Sequence, residues 1–463
     1  MFLHKMKGER KMKKLFAILL VLAMMFGVIS CGGGTPASSP PPSASSGSAA
    51  PEASASPPPA KSSRDLVYEI IEKDPLGLNG IPPNRLEDRS HVNKGLPVEK
   101  KGNLTIGMSV ASVGSAFFTT MLNTLEEELN KLGHTFIFQV SDRNIELQIQ
   151  QVDAFISQGV DLIIFNGAAQ AHTATFKKSA DAGIPILVTS NQAAEWDGCH
   201  ITDILAGSYE AGWRSGEYTG RHMYEKDTVY KIGFILNSIG SADTESRANG
   251  FISGFQYALR ELDGNPYASK WDAIYEGYHV WREFMDNGKL LKADARINLV
   301  GYGNGETPDA PGGQKAANDL VAGNRDMDLL FVETDNMWAG VEVVLRQNSL
   351  KPGEDLIISC AADATKVGLE AIMNGEILAI SNNSSAMNAM GMVEIIRGLF
   401  EEGYSNRDYN NLVANTYTPT VCITKENVEQ FYDPDQDLAR GIPYDFKTVP
   451  EHNANLSDTS DPF

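Results

Sequence analysis

Residues 104–110 read Leu-Thr-Ile-Gly-Met-Ser-Val and open the stretch, residues 103–189, that decides the fold. Short apolar runs in this stretch alternate with segments in which apolar residues recur about every 3.6 positions, such as the helical segment that ends at Gly159. This alternation predicts a β-α-β-α order and therefore a parallel sheet with helices on both faces. Ligands bind at the carboxyl ends of the strands in such sheets. The predicted strand ends are residues 109–118, 141–144, 166–168 and 190–192.

A second series of strands and helices follows, which predicts a second α/β lobe. Its predicted strands are residues 230–236, 297–301, 328–332, 355–359, 377–381 and 421–424. Its predicted helices are residues 206–224, 244–262, 313–322, 337–347 and 365–374, followed by an amphipathic helix at 387–400. Residues 265–294 interrupt the rhythm and are interpreted as an aromatic-rich insertion with a strand-like centre at 273–280.

The composition is that of a soluble globular chain, with 42% apolar and 21% charged residues. The net charge of −20 argues against nucleic acid or anionic lipid headgroups as partners. Three cysteines beyond position 31, Cys199, Cys360 and Cys422, cannot all pair with one another and lack zinc-ligand spacing. Free thiols are therefore the favoured interpretation.

The N-terminus has the pattern of an export signal. A basic segment at residues 5–14 precedes an apolar run at 15–29 that is short for a permanent membrane span. The run ends in Val28-Ile-Ser-Cys31, which resembles a bacterial lipobox and implies cleavage before Cys31 and a diacylglycerol on its thiol. The alternative is an ordinary signal peptide with a chance cysteine. A lipidated protein would be anchored to the membrane rather than span it.

Motifs for catalysis, metals and nucleotides are missing from the sequence. It contains no HExxH, GxSxG or phosphate-binding glycine loop, so an enzyme is not predicted and no cofactor is expected. Gly301-Tyr-Gly-Asn-Gly305 is interpreted as a turn. Asp433-Pro-Asp-Gln-Asp437 is similar to the start of a calcium loop, but Leu438 and Tyr444 stand where such a loop needs Gly and Glu, so no metal site is predicted.

Several segments in order resemble the sugar-binding, ribose/galactose-like branch of the type I periplasmic binding proteins, a group of substrate-binding proteins for ABC importers. The resemblance covers residues 103 to about 432. The segments that carry it are Ser115-Ala-Phe-Phe118, Gln151–Phe165, Ala182-Gly-Ile-Pro-Ile-Leu-Val188, Arg247-Ala-Asn-Gly-Phe251, Phe331–Met337 and Asp363–Gly375.

The resemblance implies two doubly wound parallel-sheet lobes joined by three crossovers, near Thr202/Asp203, near Asn383 and near Asn415–Thr418, with a ligand in the cleft between them. The implied N-terminal lobe is 103–202 plus 384–416, and the C-terminal lobe is 203–383 plus 417–432. The remaining segments are a signal peptide at 1–30, a disordered Pro/Ser/Ala stalk at 31–63, an N-terminal extension at 64–102 and an acidic tail at 433–463. Within the extension, residues 75–101 are expected to be irregular and to lie against the first lobe.

Sugar hydroxyls need carboxylates, amides or Arg, and the C–H faces of the ring need aromatic side chains. The candidate substrate-binding residues are Ser115, Phe117, Phe118, Asn191, Arg247, Thr334, Asp335, Asp363 and Asn383. Ser190-Asn191 stands where many relatives have a charged Asp-Arg pair, so the pyranose or furanose specificity of those relatives does not carry over.

Each candidate also has a structural alternative. Phe117 and Phe118 could pack in the core, and Arg247 could form a surface ion pair with Asp243 or Glu245. The two aspartates among the candidates could cap helices. Three tryptophans, Trp196, Trp213 and Trp338, could contribute to the site, with core packing as the alternative.

The sequence therefore predicts a monomeric, lipid-anchored, extracytoplasmic receptor that passes a monosaccharide-like sugar or polyol to an ABC permease. The alternative is a receptor that presents such a ligand to a chemotaxis or two-component signalling ectodomain. A transcription regulator of the same fold is disfavoured, because a lipobox and stalk stand where such a protein has a DNA-binding domain.

Overall fold

The computed structural model describes most of the chain beyond the stalk. The described residues are 60–73, 76–81, 102–113, 116–167, 173–190, 199–382, 384–400, 415–418, 420–440 and 461–463. The predicted signal segment and Cys31 lie outside them. Within this part of the chain, no helix has the length and apolar character needed to cross a membrane.

The first lobe is built on a six-stranded sheet with the order β12-β5-β4-β3-β1-β2, and all its strand pairs are parallel. Its strands, numbered along the whole chain, are β1 Thr105–Val110, β2 Thr135–Val140, β3 Leu162–Asn166, β4 Ile186–Thr189, β5 Asp203–Ala206 and β12 Asn415–Thr418. Its helices are α2 Ala116–Lys131, α3 Ile145–Gln158, α4 Thr173–Asp181 and α11 Ser385–Phe400. Apolar residues of strands β1, β3 and β4 are buried against helices on the two faces, as the continuous apolar runs predict.

The second lobe has a seven-stranded sheet with the order β13-β11-β10-β9-β6-β8-β7, parallel except at its two edge pairs. Its strands are β6 Tyr230–Leu236, β7 Leu290–Lys292, β8 Ile297–Asn304, β9 Leu329–Val332, β10 Ile357–Ala362, β11 Ala379–Asn382 and β13 Val421–Thr424. Its helices are α5 Ser208–Met223, α6 Ala242–Leu262, α7 Lys270–Asn287, α8 Ala310–Val321, α9 Trp338–Gln347 and α10 Lys366–Met373. The predicted architecture of two parallel-sheet α/β lobes is confirmed.

The chain crosses between the lobes three times, at places that differ in part from those expected. Strand β5 pairs with β4 in the first sheet, so the first crossover follows Ala206 rather than residue 202. Strand β12 also belongs to the first sheet, so the third crossover follows Thr418, at the end of the expected range 415–418 and two residues beyond the expected lobe boundary at 416. The second falls between the end of β11 at Asn382 and the start of α11 at Ser385. Strand β12, Asn-Thr-Tyr-Thr, was missed because it is mostly polar, and β5, Asp-Ile-Leu-Ala, because its apolar run has only three residues.

The predicted strand at residues 273–280 is wrong, because these residues lie inside helix α7. Ser269 caps the helix in a reciprocal pair with Asp272, and Gly288 ends it. The buried residues of α7, Trp271, Ile274, Tyr278, Trp281 and Phe284, recur at three- to four-residue intervals. The aromatic content masked this helical period, since aromatic residues are enriched in strands.

The turn predicted at Gly301–Gly305 is also wrong, because β8 continues to Asn304. A Cβ at Gly303 would lie 1.9 Å from the carbonyl oxygen of Ala316 on α8. The glycine therefore allows the helix to pack directly on the strand. The run of glycines serves packing and forms no phosphate loop.

Segments outside the two lobes pack onto the second lobe. Helix α1, Ser63–Lys73, packs against α7, and a 3₁₀ turn at Leu76–Leu78 packs against α6. The expectation that residues 75–101 lie against the first lobe is thus wrong for the described residues 76–81. Residues 433–440 are also not a free tail, since the amide of Ala439 donates to the carbonyl of Ala364 over 2.9 Å.

The cysteines agree with the prediction. Cys199, Cys360 and Cys422 form no disulfide in the described part of the chain; Cys360 is buried and the other two are half-buried. Burial raises the pKa of the Cys422 thiol to about 11, so this thiol is unreactive at neutral pH.

Candidate functional site

A cavity of about 550 Å³ lies where the strand ends of the two sheets face each other. Its volume falls in the range of small-molecule sites. The first lobe lines it with Ala116, Phe117, Phe118, Arg143, Ser190, Leu205, Ala206 and Asn388. The second lobe and the appended segments line it with Asn79, Ser208, Asn237, Ser241, Ala242, Asp243, Arg247, Pro308, Thr334, Asn336, Asp363 and Leu438.

Two phenylalanines form the apolar wall of the cavity. Phe117 and Phe118 stand in the first turn of α2, directly after the loop that follows β1. Their rings meet edge to face, with centroids 5.4 Å apart. Phe118 also packs against the core of the first lobe, so for this residue the site role and the core role coexist. The pair can accept the C–H face of a ring, as expected from the sequence.

The polar edge of the first lobe includes a cation that the sequence analysis missed. Arg143 follows β2, adopts a left-handed φ of 62°, and lines the cavity together with Ser190. Its amide donates to the carbonyl of Ala111 over 2.7 Å, which ties the loop to the end of β1. A guanidinium is therefore present on this edge, although the Ser190-Asn191 pair lacks one. Its position at the end of a parallel strand was the signal that could have identified it.

An ion pair lies at the centre of the second lobe's side of the cavity. Arg247, in α6, donates through Nη1 to Oε1 of Glu333 over 2.5 Å, and the Glu333 side chain is fully buried. Burial raises the pKa of Glu333, and the attraction of Arg247 opposes this shift. The Nε of Arg247 has no hydrogen-bond partner among the described residues. Arg247 thus lines the cavity with a buried donor still unused, and its partner is Glu333 rather than Asp243 or Glu245.

Asp363 brings a carboxylate to the same side of the cavity. It follows β10 and accepts a hydrogen bond from Nδ2 of Asn336. Burial and the nearby Asp335 raise the pKa of Asp363 to about 6, while Arg247 lowers it. It does not cap α10, whose N-cap is Thr365. A carboxylate placed beside a guanidinium in this way can accept hydrogen bonds from ligand hydroxyls.

Thr334 and Asp335 take different roles from each other. Thr334 lines the cavity and caps the 3₁₀ turn Asp335–Met337. Asp335 is buried behind it and does not line the cavity. Its Oδ1 accepts from the amides of Asp363 and Ala364, each over 3.1 Å, and its Oδ2 from Thr365. The Asp335 carboxylate thus positions Asp363 instead of facing the cavity.

Replacing Asp335 by alanine is expected to lower the free energy of unfolding by about 3 kcal/mol, since three backbone amides lose a charged acceptor inside the protein. Urea unfolding followed by circular dichroism measures this change. The matched control is Asp319→Ala on the exposed face of α8, where a change within about 0.5 kcal/mol is expected. Equal stabilities of the two variants would contradict the role given to Asp335.

Asn388 of α11 offers the cavity a further donor that the sequence analysis missed. Its Oδ1 accepts from Oγ1 of Thr418 over 2.9 Å, whereas its buried Nδ2 has no partner among the described residues.

Two of the three tryptophan candidates, Trp213 and Trp338, behave as core residues, since both are buried. The remaining predicted residues, Ser115, Asn191, Asn383 and Trp196, lie outside the described residues.

The side chains that line the cavity are suited to binding a polar ligand with an apolar face. In the described part of the chain, no three His, Cys, Asp or Glu side chains are grouped so that they could hold a metal ion. The cavity instead combines two phenyl rings, several amides and hydroxyls, and carboxylates beside arginines. Such a set can hydrogen-bond a ligand rich in hydroxyls while covering its apolar face.

Residues 106–402 match the family described as "Periplasmic binding protein domain". Among characterised proteins, the chain is 24% identical over 280 residues to the ribose import binding protein RbsB of Bacillus subtilis (strain 168), covering 60% of this chain and 76% of that protein. It is 22% identical over 280 residues to the galactofuranose-binding protein YtfQ of Escherichia coli (strain K12), covering 59% and 75%. Both are named as binding proteins, in agreement with the prediction that the chain is not an enzyme.

Solved structures of the same fold cover more of the chain. A Mycobacterium smegmatis protein in complex with β-D-fucofuranose aligns with a TM-score of 0.52 and 20% identity, over 71% of this chain and 93% of that one. A periplasmic ribose ABC transporter protein from Conexibacter woesei aligns with a TM-score of 0.55 and 13% identity, over 72% and 95%. At these identities the likeness establishes the fold.

Proposed function

Because the chain belongs to the periplasmic binding protein family, we propose that it is an extracytoplasmic receptor that captures a monosaccharide-like ligand in the cavity between its lobes. The observation that carries this proposal is the pairing of the two phenylalanines on the first lobe with Arg247 and Asp363 on the second. A sugar needs both sets, since the phenyl rings cover its C–H groups and the charged side chains form hydrogen bonds with its hydroxyls. The names of the relatives, which concern ribose and galactofuranose, favour the same class of ligand.

Closure of the two lobes on the ligand follows from this placement. Candidate ligand-binding residues lie on both lobes, which three crossovers join, so a bound sugar adds contacts that hold the two lobes together. Closing the cavity removes water from the ion pairs and strengthens their hydrogen bonds with the ligand. A dissociation constant in the micromolar range or below is expected, which corresponds to about −8 kcal/mol or better.

A thermal-shift and calorimetry screen of the purified protein tests the proposal. The panel contains D-ribose, L-arabinose, D-galactose, D-fucose, D-allose and myo-inositol. A sugar present at about 100 times its dissociation constant is expected to stabilise the protein by about 2.7 kcal/mol. A panel in which no compound shifts the melting temperature or releases heat would refute the proposal.

Delivery to the membrane is the second part of the proposal. Lipidation at Cys31 holds the receptor at the outer face of the cell membrane, and the Pro/Ser/Ala segment lets the lobes reach an ABC permease. Cys31→Ser is expected to abolish labelling by a radioactive fatty acid and to release the protein from the membrane fraction. Cys199→Ser is the matched control, for which fatty-acid labelling and association with the membrane fraction are expected to stay unchanged. Stimulation of a permease's ATPase by the sugar-loaded receptor distinguishes import from signalling.

A further inference from the structure

Residues Leu76–Ile81, which we call the N-terminal segment, precede the family's domain and yet reach the cavity. The domain match begins at residue 106, whereas Asn79 lines the cavity. The segment is held on α6 by three hydrogen bonds at one place. Ser246 Oγ donates to the carbonyl of Leu76 over 2.8 Å and accepts from the amide of Asn79 over 2.7 Å. Nδ2 of Asn249 donates to the carbonyl of Gly77 over 2.7 Å.

The position of the N-terminal segment depends on its own sequence. Leu78 and Ile81 are buried in an apolar cluster with Tyr209 and Trp213 of α5. Gly80 has a φ of 103°, and a Cβ there would lie 2.8 Å from the amide nitrogen of Ser208. The buried side chains of Leu78 and Ile81, together with Gly80, let the segment approach the start of α5 closely. The segment is therefore packed into the second lobe beside the first crossover.

The side chain of Asn79 contacts both the ligand-facing carboxylate and the first lobe. Its Nδ2 donates to Oδ1 of Asp243 over 2.8 Å, and its Oδ1 accepts from the hydroxyl of Tyr417 over 3.4 Å. Oγ of Ser208 donates to the same Asp243 oxygen over 2.8 Å. With two donors on Oδ1, the orientation of Asp243 is set, and its Oδ2 is the oxygen left to accept from a ligand hydroxyl.

We propose that Asn79 is a specificity-determining residue of the ligand site, which orients Asp243 toward one ligand hydroxyl and links this contact to the first lobe through Tyr417. The inference rests on the proposed function, since it concerns the same cavity. Asp243 stands in the first turn of α6, where Asn79 adds a second donor to that of Ser208 and so narrows the choice of Asp243 rotamers. An oriented carboxylate distinguishes sugars that differ in the direction of a single hydroxyl, whereas a mobile one does not.

The bond between Asn79 and Tyr417 gives the N-terminal segment a second effect on binding. Tyr417 is in β12, immediately before the third crossover, so this hydrogen bond joins the two lobes at the hinge. The other hydrogen bonds of Asn79 all go to the second lobe. One of them is donated by the amide of Tyr209 to the carbonyl of Asn79 over 2.8 Å. The segment is thus fixed to the second lobe, and its bond to Tyr417 is a contact between the two lobes.

The test compares Asn79→Ala and the isosteric Asn79→Asp with the wild-type protein, by calorimetry against the six sugars of the panel above. Both variants are expected to bind the preferred sugar about tenfold more weakly. They are also expected to lose most of the preference between D-galactose and D-allose, which a purely structural defect would not change selectively. Tyr417→Phe is expected to weaken all sugars alike, because it removes only the bond between the lobes.

The matched control is Glu72→Ala, an exposed residue of helix α1 in the same extension, for which affinities and preferences within twofold of wild type are expected. If Asn79→Ala does not fold, Asn79→Asp, which keeps the size of the side chain, decides the question. If the wild-type protein binds a sugar and the Asn79 variants show the same affinity and the same preference, the role given to Asn79 is wrong and the proposed function still stands. Absence of binding by the wild-type protein overturns the proposed function, and this inference with it.

Discussion

Arg247→Ala is expected to weaken binding of the preferred sugar by at least about 100-fold, because the variant loses a charged donor and leaves the Glu333 carboxylate buried without its partner. The same change is expected to lower the free energy of unfolding by about 3 kcal/mol at neutral pH. Calorimetry measures the first effect and urea unfolding the second. The matched control is Arg346→Ala, whose guanidinium is half exposed on α9 and pairs with Glu342.

The pH dependence of the Arg247→Ala variant gives an independent check. Burial already raises the pKa of Glu333, and loss of Arg247 raises it further. A carboxyl whose pKa is higher in the folded than in the unfolded state binds more protons when folded. The variant therefore gains stability relative to wild type as the pH falls toward the unfolded value of about 4.3. A stability deficit that stays constant between pH 7.5 and 5 would contradict burial of an unpaired Glu333.

Asp363→Asn is expected to weaken sugar binding by about 10- to 100-fold at pH 7.5, because hydroxyl donors then meet a neutral amide in place of a carboxylate. Since the pKa of Asp363 in the ligand-free protein is about 6, wild-type affinity should fall about tenfold when the pH is lowered from 7 to 5. The variant should lose this pH dependence. Calorimetric titrations at half-unit pH intervals measure both effects.

Stability separates this explanation from general damage to the fold. The raised pKa of Asp363 means that its ionisation opposes folding, so the contribution of Asp363 to the free energy of unfolding falls as the pH rises from about 4 to 6. Ligand-free Asp363→Asn is therefore expected to be more stable than wild type at pH 7 while binding sugar less well. The control is Asp319→Asn on the exposed face of α8. A variant that is both less stable and weaker in binding would show that Asp363 serves the fold.

The two lobes could be predicted from the sequence because their signals are local. Continuous apolar runs mark strands buried on both faces, and a 3.6-residue period marks the helices that cover them. The prediction failed where local signals conflicted or were too short. Helix α7 was missed because its aromatic residues favour a strand. Strands β5 and β12 were missed because neither has a continuous apolar run of four residues.

The residues of the candidate site also differ in whether they could be predicted from the sequence. Phe117, Arg247 and Asp363 could be identified because they stand in segments that resemble the binding-protein family, and all three line the cavity. Asn79 and Leu438 could not, since they come from segments before and after the lobes that have no periodic pattern. Their place in the cavity depends on contacts with residues more than 70 positions away in the chain.

By itself, the sequence determined that the chain forms two parallel-sheet lobes with polar strand ends, since apolar periodicity depends only on near neighbours. Only the tertiary structure decided which polar groups meet there. It paired Arg247 with Glu333, turned Asp335 toward the backbone of residues 363–365, and brought Asn79 to Asp243. The physical reason is that hydrogen bonds and ion pairs act over about 3 Å, so their partners are set by packing between distant segments and not by spacing along the chain.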